Sequence, residues 1–339
     1  MTRTDPRKLL AAAAVLVAVV AALVGRPHRP AGRPGAATLT VHRFPVQAVA
    51  FSPDGATLTT AAFFVGAGEA DVTDWDVRAG CPAARRTLPG GGRRCLAFAP
   101  GGRPLAAAGD ALGVRLWDAD TGDETRLPGP HSSVRALAFS GDGGRLAAAD
   151  TEPEGGVAVS VVAGDRPGFR CRGPHGRVLA LAFSPDGHTL AGGECDGEPA
   201  VRLWDAGTGA ERAACRGHAA GVTAVAFAPD GRTLASGDLH GVVKLWDAGT
   251  GAERATLTAP GGEAVTAVGF APDGRTLAVA AGRVVRLWDP DTGHIAAELA
   301  GHTGKVTCLA YSPDGSRLAT GGYDRTARVW DVPAHRPVR

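Results

Sequence analysis

Cysteine is scarce in this chain, six in 339 residues, with no CxxC pair and no Cys–His spacing suited to zinc. That excludes a disulfide scaffold and a zinc module. The ten histidines form neither HxH nor HExxH, so metal chemistry has no support in the sequence. GxSxG, GxGxxG behind a strand and GxxxxGK[ST] are missing too, and with them the short motifs of hydrolases, dinucleotide binders and P-loops. No cofactor is expected, and no catalytic residue is nominated. Lysine is nearly absent: Lys8, Lys244 and Lys305 are the only ones, all other basic residues being arginine. The formal net charge is +2, yet residues 1–35 carry six basic side chains and one acid, Asp5. The rest holds 30 basic and 33 acidic residues. Nucleic acid needs a basic face for its phosphates and is not an expected partner.

One long hydrophobic run is present, Leu9 to Val24, preceded by Arg7 and Lys8. As a helix it would span about 24 Å, against a hydrocarbon core of about 30 Å. Residues 1–25 are expected to be one hydrophobic N-terminal helix, either a signal peptide or a single-span membrane anchor. Residues 26–36 follow as a Pro/Arg/Gly-rich linker. Both readings place the remainder outside the cytoplasm, periplasmic or secreted, or tethered to the membrane through the N-terminal segment. Arginines on both sides of the run leave the orientation open.

Beyond residue 36 the chain repeats with a period of 41–47 residues, the mark of a repeat architecture. An aromatic followed by a turn recurs seven times, as in Phe51-Ser-Pro-Asp-Gly, Phe227-Ala-Pro-Asp-Gly and Tyr311-Ser-Pro-Asp-Gly. Proline presets φ in such a turn and glycine accepts positive φ. An alternating stretch such as Val222-Thr-Ala-Val-Ala precedes each aromatic and reads as a strand. A second and a third strand follow, the third ending in Trp-Asp, and then a short fourth. All six tryptophans sit in that dipeptide: Trp75, Trp117, Trp204, Trp246, Trp288 and Trp330.

This combination resembles the WD40 family over residues 37–332, with 333–339 left as a short tail. Propellers of the TolB-like kind share the Ser-Pro-Asp-Gly turns but not the terminal Trp-Asp. The resemblance implies an all-β fold, a seven-bladed β-propeller of four-stranded antiparallel blades. It also implies a structural network of a Gly-His histidine, a strand hydroxyl, a turn aspartate and the tryptophan. Only the last repeat matches throughout, with His302, Thr320, Asp324 and Trp330. Repeat five keeps His218, Ser236 and Trp246 but places His240 where the aspartate belongs. Repeat four has His175, Asp196 and Trp204, with Gly192 in place of the hydroxyl. Repeats one, two and six lack the histidine, and repeat three reads Val162-Ala163 for Trp-Asp. The seventh repeat ends at Asp331 without a fourth strand, and the prolines beyond it cannot supply one. Residues 37–43 alternate like a strand and are predicted to close the ring as the outer strand of the last blade.

Cys95 and Cys308 fall where other repeats carry alanine, and Cys171 and Cys215 are likewise equivalent. All six thiols are expected to be unpaired. Insertions between the second and third strands lengthen repeats one, three and four, and insertions in a repeat fold gather on one face. They hold Glu69 and Asp71, Glu152 and Glu154, and Glu194, Asp196 and Glu198. These acids are read as solvated loops or as a rim that recruits a basic segment of a partner or, more weakly, a divalent cation. The residue before the turn aspartate is Cys195, Leu239 or Tyr323. The family resemblance makes an exposed Leu239 or Tyr323 a contact anchor. The expected function is a non-enzymatic protein-interaction platform, monomeric. The alternative is an extracytoplasmic ligand-binding sensor or a propeller enzyme with its site at the channel mouth. A third reading makes the repeats the substrate-recruiting module of a larger assembly.

Overall fold

The structure is a computed structural model. It describes residues 36–40, 42–63, 69–89, 95–99, 105–109, 113–118, 121, 123–127, 134–151, 157–163, 166–171 and 176–333. The hydrophobic N-terminal segment, nearly all of the linker, Glu152, Glu154, His175 and the tail beyond 333 lie outside these residues.

The described strands form seven four-stranded antiparallel sheets, and no helix occurs among the described residues. None of those residues therefore belongs to a helix long and apolar enough to cross a membrane. Six sheets take their strands in simple order, over 46–89, 95–126, 136–171, 178–216, 222–258 and 265–300. The seventh draws three strands from 306–331 and its outer strand, Ala36–Leu39, from the other end of the chain. Ala36 stands opposite Trp330 and Leu39 opposite Ala327. This repeated arrangement is that of a propeller, with each sheet too thin to cover its own two faces.

The edge strand is shorter than the predicted 37–43. It stops at Leu39, because His42 and Phe44 already belong to the packing of the first sheet. His42 Nε2 lies 3.1 Å from Thr60 Oγ1, and Phe44 packs on the cluster of Leu39, Val46, Phe51 and Trp75.

Turn chemistry sets the register. In the first sheet the Gly55 N–H donates to the Ser52 carbonyl at 2.8 Å, and Gly55 sits at φ 67°. A side chain at Gly55 would be strained in that left-handed region. The Asp54 carboxylate accepts from the Ser52 hydroxyl at 2.5 Å and from the Ala56 N–H at 3.0 Å. At the same end of the sheet, where Asp76 stands opposite Thr57, the aspartate of Trp-Asp caps the next turn. Asp76 accepts the N–H groups of Arg78 and Ala79, both at 2.8 Å.

Small residues let the sheets approach each other. A Cβ on Gly237 would come within 2.3 Å of Val265 Cγ1 in the next sheet. The same seat recurs for Gly193 under Val222, 2.7 Å, and for Gly321 under Val46, 2.5 Å. The last of these pairs joins the seventh sheet to the first. Each valine is completely buried. Next to two of these valine seats, a hydroxyl bridges the sheets. Thr223 donates to the Val265 carbonyl at 2.5 Å, and Thr307 donates to that of Val46. These threonines are the residues left out of register by a bulge at the start of the inner strand, which frees them to reach across.

Removing the edge strand leaves Ala327–Asp331 with an open edge and Leu39 without its core position. A chain of residues 36–339 should melt with the full chain. A chain of 41–339, which keeps His42, should melt about 5–10 °C lower and aggregate on heating. Thermal melting of the three chains side by side checks this.

Candidate functional site

The seventh sheet brings His302, Thr320, Asp324 and Trp330 together. His302 Nδ1 is 2.8 Å from the Asp324 carboxylate, and Nε2 is 2.8 Å from Thr320 Oγ1. Trp330 Nε1 donates to the same hydroxyl at 2.9 Å. Burial lowers the pKa of His302 even though Asp324 opposes this. The ring is therefore neutral near pH 7, with its proton on the Nδ1 that faces Asp324. Burial alone would raise the Asp324 carboxyl, but the Thr326 hydroxyl and His302 hold it at about 2. His, Asp and Thr are the residue types of a hydrolytic triad. Here the hydroxyl is sealed from solvent and accepts the tryptophan N–H, so it is a structural strut.

Two further sheets carry such a network where the sequence reading placed it differently. In the fifth sheet, His218 Nδ1 meets Asp238 at 2.9 Å and Nε2 meets Ser236 at 2.7 Å. The aspartate thus comes from the end of the second strand, two residues before His240, and His240 meets it only through its backbone N–H, which donates to Asp238 at 2.9 Å. The first sheet does have its histidine. His42 lies 3.1 Å from Thr60, which also accepts the Trp75 N–H at 2.9 Å. It was hidden because it follows Val41 rather than glycine and abuts the predicted closing strand. The readable signal was spacing: His42, His218 and His302 all stand 18 residues before their hydroxyl partner. In the sixth sheet Val279 occupies the hydroxyl position, opposite Arg286 as Thr320 is opposite Arg328. Trp288 Nε1 is accordingly buried without an acceptor.

Among the described residues, the insertion acids are paired with arginine. Asp71 is 0% exposed, held by the fork of Arg43 at 2.8 and 3.0 Å and by Arg85 at 3.1 Å. Glu69 also pairs with Arg43, at 2.7 Å. Glu194 is 1% exposed and accepts from Arg202 at 2.8 Å, and Arg202 reaches Glu211 at 2.9 Å. Asp196 is bound by the fork of Arg177 at 2.6 and 2.9 Å. Glu198 remains outermost, 2.5 Å from Arg216. Lengthened strands, rather than projecting loops, absorbed part of the insertions, as in the eight-residue strand Glu69–Asp76. The expectation of a negative surface is corrected at Asp71 and Glu194. A buried carboxylate needs a cation, and arginine supplies it.

Two apolar side chains stand out on the face of these loops, Leu239 at 45% and Tyr323 at 51% exposure. They are equivalent positions. The Leu239 N–H donates to the Gly221 carbonyl, the Tyr323 N–H to that of Lys305 and the Cys195 N–H to that of Arg177. All six cysteines are free. Burial pushes the thiols of Cys95, Cys171, Cys215 and Cys308 up to about 12, which keeps them protonated. No three His, Cys, Asp or Glu side chains converge as a metal site among the described residues.

Two predictions follow from the networks. Thr320→Val strands both the Trp330 N–H and His302 Nε2. It should cost about 2 kcal/mol or more in urea unfolding, since each unpaired buried group costs about 1–3 kcal/mol. His42 is lowered to about 4, chiefly by burial, so the folded chain keeps it neutral where the unfolded chain protonates it. Its contribution is full above about pH 6.5 and is lost as the pH falls towards 4. Between pH 7 and 5 the full chain should therefore lose about 2 kcal/mol more than the His42→Gln variant.

The family described as WD domain, G-beta repeat matches residues 36–63, 167–205, 209–247, 251–289 and 293–331. No curated protein matches the chain. The unmatched stretch, 64–166, is where tryptophan or histidine positions are lost, yet four-stranded sheets continue through it. Members of this family generally serve as scaffolds for protein–protein interaction and not as enzymes. With more than half of its residues in matching repeats, the chain belongs to the WD40 family.

Proposed function

We propose that this chain is a non-catalytic interaction platform, a closed seven-bladed propeller that presents one face to a partner polypeptide. Supporting closure, the seventh sheet takes its edge strand from residues 36–39, and Val46 of the first sheet seats on Gly321 of the last. The reading rests above all on Leu239 and Tyr323, large apolar side chains exposed at equivalent places on one face. Partly exposed tyrosine and leucine on a rigid frame are the kind of anchor that carries binding energy. The bulge threonines at the inner strands spend their hydroxyls on backbone carbonyls, which leaves them no part in a catalytic site. The platform is a monomer, exported or tethered to the membrane by residues 1–25, as the apolar run behind Arg7 and Lys8 suggests.

Affinity capture on the full chain, read by mass spectrometry, should retain a protein. The double variant Leu239→Ala/Tyr323→Ala should weaken its retention by about tenfold or more at an unchanged melting temperature. Retention of small molecules or glycans alone would overturn the platform in favour of a ligand-binding sensor. Fractionation of cells making the full chain should recover it outside the cytoplasm or in the membrane pellet, and recovery in the cytosol would contradict export.

A further inference from the structure

One stretch of the loop-bearing face, over the fifth, sixth and seventh sheets, carries exposed groups without partners. Every residue from 176 to 333 is described there. In the fifth sheet, residues 239–241 join the second strand, Thr233–Asp238, to the third, Val242–Asp247. In the seventh, residues 323–326 join Arg317–Gly322 to Ala327–Asp331. In the sixth, Leu277–Ala281 and Val284–Trp288 leave only Gly282 and Arg283 between them. The tight hairpin of the sixth sheet thus makes a notch between two longer turns, one carrying exposed Leu239 and the other exposed Tyr323.

Contacts run without a break from one turn to the other. A Cβ on Gly241 would lie 2.9 Å from the Glu263 carbonyl oxygen, and the Glu263 carboxylate fills the space that a side chain at Gly282 would need. The Gly282 carbonyl accepts the Val306 N–H at 2.8 Å, and the Lys305 carbonyl accepts the Tyr323 N–H at 2.8 Å. Arg283, Lys305 and Arg325 stand exposed along this path, and none makes a side-chain hydrogen bond or ion pair with a described residue. The acids of the same turns are Asp238, Glu263 and Asp324, so the formal charges cancel. Their availability does not. Asp238 is taken up by His218 and by the N–H groups of His240 and Val242. Asp324 is taken up by His302, the Thr303 N–H and both the N–H and the hydroxyl of Thr326. Glu263 alone among these acids is exposed. What the notch offers a partner is therefore mainly donors, two guanidiniums and one ammonium, between two apolar side chains. The undescribed stretches 64–68 and 172–175, in or leading into the sheets on either side, hold no acid.

We infer that this notch docks a peptide segment of a partner protein in which acidic residues stand beside apolar ones. The inference rests on the platform reading and names the chemistry of the partner. Carboxylates are the acceptors that unpaired guanidinium and ammonium groups bind most strongly, through charge-assisted hydrogen bonds. Apolar residues of the segment would cover Leu239 and Tyr323. The chain's own ends do not suit the site: residues 1–35 carry six basic side chains against one acid, and residues 334–339 carry two arginines and no acid. An anionic membrane suits it less well, since basic clusters that hold such lipids count about four to eight residues.

The test is selection of a phage-displayed library of random linear dodecapeptides on the immobilised full chain. The selected sequences should be enriched in aspartate and glutamate beside apolar residues. The strongest of them, made with a fluorescein label, should bind the triple variant Arg283→Gln/Lys305→Gln/Arg325→Gln more weakly by about tenfold or more in fluorescence anisotropy. That variant should melt with the parent, because its three side chains are exposed and unpaired. Selected peptides without acidic enrichment, or an acidic peptide that binds the triple variant undiminished, overturn the inference. If such peptides still lose affinity in Leu239→Ala/Tyr323→Ala, the platform itself stands. No enrichment over the bare support overturns both. Vesicles of one part phosphatidylserine to three of phosphatidylcholine give the membrane arm. Sedimentation of the parent but not of the triple variant with them, without selection of acidic peptides, would assign the notch to lipid and overturn the peptide.

Discussion

The contact on which the rest of this molecule depends is a valine seated on a bare backbone. Val222 on Gly193, Val265 on Gly237 and Val46 on Gly321 are the same contact, repeated where one sheet meets the next. No single sheet could bury both of its faces. The seat lets the inner strands come close enough for alanine, valine and leucine to fill the space between sheets. The threonines beside two of the seats convert the same approach into hydrogen bonds from one sheet to its neighbour. Because the last seat joins residues 46 and 321, the two ends of the chain are held together twice. The apolar seat acts at the inner strand and the pairing of 36–39 acts at the outer one.

With the sheets held by packing, the polar networks are free to vary. Three sheets tie a histidine, a hydroxyl and a tryptophan together, two with an aspartate behind the histidine. The sixth does without the hydroxyl and leaves Trp288 Nε1 unpaired. Such variation is what a strut tolerates and a catalytic centre does not. The charged groups follow the same economy. Carboxylates that the insertions carried inside, Asp71 and Glu194, are each met by arginine. Among the described residues, the loop-bearing face holds such pairs and two exposed apolar side chains, Leu239 and Tyr323.

The repeats were legible because their determinants are local. Pro-Asp-Gly fixes a turn within four residues, alternation fixes a strand within six, and Trp-Asp marks the end of the third. The exposure of Leu239 and Tyr323 follows from their equivalence, since both come directly after the second strand. Illegible features depend on register between distant strands. Arg43 and Asp71 lie 28 residues apart, and nothing local says that the pair is buried. Asp238 replaced the expected turn aspartate because the end of a strand and the turn beyond it can reach the same histidine nitrogen. His42 lacked its glycine.

Closure through the repeated seat is tested most directly by a double-mutant cycle at the junction of the first and last sheets. Gly321→Ala adds a methyl group where Val46 Cγ1 would lie 2.5 Å away, and Val46→Ala opens that space. Urea unfolding of the two single variants and the double should show the double more stable than the sum of the singles by about 1 kcal/mol or more. Additivity within about 0.5 kcal/mol would mean that residues 46 and 321 do not touch in solution, and that the ring is not closed in this way.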